Sequence, residues 1–147
     1  MNVQELVITW ATPAFFVLIV LELLVARWQR RPAYRLNDAI NSLGLGVMSQ
    51  IVGVFSKLLT IGIYAWCAAH LALLQLPADR VWTWLVALLG YDFCYYWLHR
   101  AGHRVNVLWA AHAVHHQSER YNLTTALRQT STGALFGWIF YLPLAVL

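Results

Sequence analysis

Between Leu6 and Ala26 the chain reads LVITWATPAFFVLIVLELLVA, and Glu22 is the only charged residue in it. As a helix rising about 1.5 Å per residue, this stretch matches a bilayer core of roughly 30 Å. Further apolar stretches run over 39–76, 81–98 and 133–147. The chain has 147 residues, 61% of them hydrophobic and 11% charged. Soluble domains carry about 25% charged residues, and a fold this small lacks the interior to hide so much apolar surface. The expected fold class is all-α: an integral membrane helical bundle of about four transmembrane helices, with 1–147 as a single membrane domain.

Pro13 is positioned to kink the first span, and Glu22 lies near enough to its end to snorkel. Before that span stands Glu5 rather than a basic n-region, so it reads as a membrane helix and not as a cleaved signal peptide. The polar loop RWQRRPAYRLND follows, with Asn37 or Asp38 placed to cap the next helix. Residues 39–76 would reach about 57 Å as one helix, so they form either a hairpin or one long helix.

Charge separates these options. The loop after the first span and the segment 100–128 each hold four arginines, while LPADR at 76–80 holds one. The positive-inside rule puts both arginine-rich regions in the cytoplasm. This requires 39–76 to cross an odd number of times and favours one crossing, with Lys57 interfacial or protein-facing. The fourth stretch stops at Leu147 after about fifteen residues, where a span needs about twenty, so a fragment is expected.

Basic balance on such a chain points to anionic lipid, and without a basic stripe interleaved with aromatics nucleic acid is not an expected partner. Cys67 and Cys94 lie in apolar stretches with no CxxC, which indicates neither a thiolate metal site nor a redox pair. The HExxH signature of zinc proteases is absent.

The chemistry concentrates in YWLHRAGHRV and LWAAHAVHHQSER. Five of the six histidines fall within residues 99–116, where about 0.7 would be expected by proportion. His99 and His103 are four apart, and His112, His115 and His116 stand at i, i+3 and i+4, so each group shares a helix face. Two such faces can enclose a metal ion. Imidazole suits iron, zinc and copper, and binding a divalent ion to neutral rings avoids crowding five cations at a low-dielectric boundary. His70 stands alone and reads as a packed or interfacial residue.

Asp92 lies inside the third span, where a carboxylate is costly and usually functional. It continues a stripe of 92, 96, 99 and 103, from which it can accept a hydrogen bond from a metal-bound imidazole or ligate directly. Glu119 is a further possible ligand, although a surface glutamate beside Arg120 needs no such role.

The strings DFCYYWLHRAGH and HAVHHQSERYNLTTALRQT resemble the fatty acid hydroxylase and sterol desaturase superfamily, and YNLTTALRQ most resembles its alkylglycerol monooxygenase-like branch. His99 and His103 match that family's HxxxH box, and His112, His115 and His116 match its HxxHH box. Asp92 matches the acid that precedes the first box. Asn122, a catalytic candidate, and Arg128 fall in the segment after the second.

The resemblance implies two iron ions, with zinc as a possible substitute, that activate dioxygen to hydroxylate or desaturate a lipid C–H bond. It also implies more histidines downstream, including another HxxHH, which this sequence does not hold. No flavin, haem or nicotinamide motif is present, so electrons would come from a donor protein or, for the alkylglycerol branch, a reduced pterin. The implied setting is a bacterial inner membrane, with the histidine boxes on the cytoplasmic side. Two alternatives stay open: a non-catalytic metal-binding membrane protein, and a membrane haem electron carrier. HxxHH beyond a span's end speaks against the second.

Overall fold

The computed structural model describes the backbone of residues 3–147, and the side chains of these except residues 3–5 and 8. Every regular element among them is helical. In chain order these are α1 (Val3–Trp28), α2 (Leu36–Leu71), α3 (Val81–Gly102), α4 (Asn106–His112), four short 3-10 segments and α5 (Leu142–Val146). Helices satisfy every backbone polar group internally, which a chain this apolar needs in lipid.

Two helical stretches, Thr9–Trp28 and Leu36–Leu71, are long and apolar enough to cross a membrane, and only 6% of each is buried. Buried apolar side chains are correspondingly few; Ala26, Cys67, Cys94 and Ala111 are those found among the described residues. Trp10, Phe55, Leu58, Leu89 and Phe93 are all more than half exposed. Water does not tolerate a continuous apolar surface of this kind. Lipid does, and the protein is an integral membrane helical protein.

The stretch 39–76, for which the charge pattern favours one crossing over a hairpin, is carried by one uninterrupted helix, α2. Its length is about 54 Å at 1.5 Å per residue. Lys57 is exposed on it. α1 likewise runs unbroken through Pro13. α3 has 22 residues but carries Asp92, His99 and Arg100. The final stretch differs from the expected continuous α-helix. It forms 3-10 turns at Thr132–Leu135 and Gly137–Tyr141 before the five residues of α5. Gly133 and Gly137 weaken α-helix there, and Pro143 brings no N–H to a hydrogen bond.

The chain divides into two compact units. The first comprises Met1–Gly46 and Gln117–Gln129. Here the segment after the histidines is tied down by a polar network. Arg128 and Asp38 form a buried ion pair, and Arg128 Nε donates to Ser42 Oγ at 3.2 Å. Ser42 Oγ in turn donates to the Asp38 carbonyl at 2.9 Å. Ser118 Oγ donates to Asp38 Oδ2 at 2.7 Å. Asp38 therefore does not cap α2, which begins before it at Leu36. Its carboxylate turns instead to partners some eighty residues away in sequence. The Ser118 hydrogen bond is the main influence holding that carboxyl below the usual range, aided by the Arg120 N–H and the Arg128 charge and opposed by burial.

The second unit comprises Val47–His116 and Thr130–Leu147. α3 is its centre, packed by α4, Gly137–Tyr141 and α5. Tyr64 on α2 donates to the Trp138 carbonyl at 2.6 Å, and the Tyr91 and Tyr141 rings stack at 5.0 Å. Cys67 and Cys94 are free thiols, both buried.

Candidate metal centre

Four of the five clustered histidines meet at the end of α3. His99 lies in its last turn, and His103 is its C-cap, with its N–H shared between the His99 and Arg100 carbonyls at 3.2 Å each. Chain direction then reverses through Arg104 and Val105 into α4, whose last residue is His112. Beyond it the helix tightens to a 3-10 turn, Ala113–His116.

The reversal brings the two boxes face to face. His112 Nε2 lies 3.2 Å from His103 Nε2 and 3.1 Å from His116 Nε2. Ligating nitrogens of His99, His103 and His112 all fall within 4.8 Å of one another. Two nitrogens bound to one ion at about 2.0–2.1 Å stand about 2.9 Å apart at right angles and about 3.4 Å apart tetrahedrally. The two Nε2 separations at His112, 3.2 and 3.1 Å, fall between these limits and suit a shared ion, while the group that includes His99 spans up to 4.8 Å. The His115 ring centroid is 5.6 Å from His116 and 6.3 Å from His112.

Electrostatics favour the ligating form of His112. Burial first, and then the neighbouring imidazoles led by His99, push its pKa down to about 4. It is therefore neutral near pH 7 and keeps a ring lone pair free.

Two supporting residues escaped the sequence reading. Gly102 is buried under His112: a Cβ there would meet His112 Cγ at 3.2 Å and Cβ at 3.3 Å. Trp109 covers the other side, its ring centroid 5.5 Å from His103 and 5.9 Å from His116, the latter stacked. The signal for Trp109 was its spacing, three and seven residues before His112 and His116. Gly102 carried no such signal, because its importance lies in the tightness of the α3–α4 turn.

The remaining candidates lie elsewhere. Asp92 is exposed on α3, outside the group of ligating atoms that converge. Seven residues correspond to about 10.5 Å of helix rise between it and His99. Asn122 is buried in the first unit, where it caps Leu123–Leu127. Its Oδ1 accepts from Thr124 N at 3.0 Å and Thr124 Oγ1 at 2.5 Å, while Nδ2 donates to the Ala33 and Arg120 carbonyls at 2.8 and 3.0 Å. Glu119 pairs with Arg35. His70 stacks on Trp66 at 5.0 Å and contacts the Trp66 carbonyl, as a packed residue would.

On the same helix as His99 and His103, an apolar groove of about 320 Å³ is lined by Phe93, Cys94, Trp97, Ile139, Phe140 and Pro143.

Fold and site together define a class: an integral membrane helical protein with a multi-histidine centre beyond the apolar part of a helix. Residues 84–147 match the family model described as fatty acid hydroxylase. The chain is 46% identical over 138 residues to alkylglycerol monooxygenase of Homo sapiens, covering 92% of this chain and 31% of that protein. Alkylglycerol monooxygenase of Xenopus tropicalis is 43% identical over 136 residues, with 92% of this chain and 30% of that protein covered. That of Danio rerio is 45% identical over 139 residues, with 93% and 31% covered. The chain thus spans about 30% of the length of these curated relatives. No solved structure matches it.

Proposed function

We propose that this chain forms part of a membrane di-iron monooxygenase acting on a lipid C–H bond, with an alkylglycerol ether lipid as substrate. The observation that carries this reading is the approach of His112 Nε2 to His103 Nε2 at 3.2 Å and to His116 Nε2 at 3.1 Å. Similarity to alkylglycerol monooxygenases over more than nine-tenths of the chain supports the substrate class.

His99, His103, His112, His115 and His116 would hold the metal, together with ligands from the rest of the protein. When bound, two iron ions supply dioxygen activation, so that one oxygen atom enters the lipid C–H bond and the other leaves as water. The electron pair comes from outside this chain, from a donor protein or a reduced pterin.

The chain's own residues do the positioning. α3 fixes His99 and His103 one turn apart on a rigid element. Gly102 lets His112 close against them, and its neutral ring presents a nitrogen without first losing a proton. Trp109 packs against the His103 and His116 rings and limits their movement. The apolar groove on α3 and the final stretch gives an alkyl chain a bed beside the helix that ends in the histidines. Asn122 holds the segment that follows the second box. The membrane reading is one domain with crossings near 6–26, 39–76, 81–98 and 133–147, in a bacterial inner membrane, with the histidines on the cytoplasmic side.

The test is turnover by the full-length protein in lipid. Alkylglycerol, dioxygen and a reduced pterin are expected to give a product with one added oxygen atom, derived from labelled dioxygen. Iron binding without any oxygen incorporation from labelled dioxygen would leave the metal-binding, non-catalytic alternative in its place.

A further inference from the structure

Among the described residues, the arginines at the end of α1 have no counterion. The apolar stretch Thr9–Trp28 ends at Trp28, which is 83% exposed. Arg27, Arg30 and Arg31 surround that point, all exposed. Among the described residues none of the three has an ion pair or a side-chain hydrogen bond.

The nearby carboxylates are already engaged. In this unit Glu22 accepts from the Tyr34 hydroxyl at 2.5 Å and from Leu123 N at 2.8 Å. Asp38 is held by Arg128, and Glu119 by Arg35. Three guanidinium groups therefore stand without a described protein partner at the level where an apolar helix meets the headgroup layer.

Backbone geometry concentrates them. Arg31 N donates to the Ala26 carbonyl at 2.8 Å and Arg30 N to the Arg27 carbonyl at 3.1 Å. This pair of bonds is a Schellman motif, whose left-handed residue is usually glycine. Arg30 fills that position with φ 53°. A side chain there is strained relative to glycine, and the strained residue is one that adds charge to the cluster.

We propose that Arg27, Arg30 and Arg31 form a binding surface for the phosphates of anionic phospholipids, independent of the metal centre. Guanidinium groups bind phosphate oxygens with paired hydrogen bonds. At a bilayer surface the attraction grows with each basic residue.

The test uses the full-length protein in mixed micelles of phosphatidylcholine and phosphatidylglycerol, with native mass spectrometry counting the lipids retained. Wild type is expected to retain phosphatidylglycerol in excess over its share of the micelle. The Arg27→Gln, Arg30→Gln, Arg31→Gln triple variant should weaken that retention by about five-fold per arginine. Arg30→Gly should lower retention while keeping or raising thermal stability, because glycine relieves the left-handed backbone; this variant keeps the test sound if the triple one folds poorly. Arg80→Gln, which removes an arginine paired with Asp79, should leave retention unchanged. The proposal is overturned by equal retention of both lipids in wild type, by full retention in Arg30→Gly, by an equal loss in Arg80→Gln, or by complete displacement with free inorganic phosphate.

Discussion

His112 and His103 approach each other Nε2 to Nε2 at 3.2 Å, across a turn that joins the ends of two helices. Neither residue reaches that position by local helical spacing, since nine residues separate them. The contact depends on the reversal at residues 104–105 and on the absence of a side chain at Gly102.

Gly102→Ala tests that dependence. A methyl group would press on His112 Cγ from 3.2 Å, shifting the ring by a few tenths of an ångström. Metal affinity should fall on the scale of the roughly ten-fold losses seen when groups behind metal ligands are altered. Thermal stability of the metal-free protein should not fall with it, because alanine favours helix over glycine by about 0.5–1 kcal/mol. Titration with iron and a melting curve separate the two effects; unchanged affinity would mean that Gly102 does not set the His112 position.

Arg128→Met breaks the pair with Asp38, whose side chains are 5% and 11% exposed. Leaving a buried carboxylate alone costs about 3–5 kcal/mol, to be read from denaturant unfolding in detergent. Adding Asp38→Asn to Arg128→Met should restore part of the loss. A cost below about 1 kcal/mol would class the pair with ordinary surface ion pairs.

The same pair predicts a pH dependence. The Asp38 carboxyl is lowered in the folded protein, so the unfolded state takes up its proton first as pH falls. Its contribution is complete above the ordinary aspartate range near 3.9 and disappears as pH drops through the lower folded value. Wild type should therefore exceed Asp38→Asn in melting temperature at neutral pH, and the gap should close only below about pH 4. A gap that does not change between neutral and strongly acid pH would contradict this assignment.

Asn122→Ala distinguishes capping from chemistry. Losing a cap costs about 0.5–2 kcal/mol, and this cap also holds the Ala33 carbonyl. The expected result is lower stability with KM and product chemistry retained at permissive temperature. A large loss of kcat in a fully folded variant would instead make Asn122 part of the reacting site.

Much of this was legible in the sequence, for physical reasons. Uninterrupted apolar runs such as Leu6–Ala26 leave few folds open, and the clustering of five histidines at spacings of three and four marked the centre. The sequence could not show which histidines converge. His112, His115 and His116 share a face on an ideal α-helix, but the turn from Ala113 is 3-10, which changes how the three rings face one another. Asp38 looked like a cap because short-range rules see only its own helix, while its partners Ser118 and Arg128 are some eighty to ninety residues distant. Asn122 drew attention as a polar residue in a matching segment, and its four hydrogen bonds became visible only with the fold.

Metal content of the purified full-length protein tests the central claim most directly, with His112→Ala and His70→Ala compared against wild type. About two metal ions per chain are expected in wild type, as in paired-metal oxygen chemistry. His70→Ala should keep them, and His112→Ala should lose at least one. Undiminished metal in His112→Ala, in a protein that is otherwise folded, would contradict the convergence of these imidazoles on a shared ion.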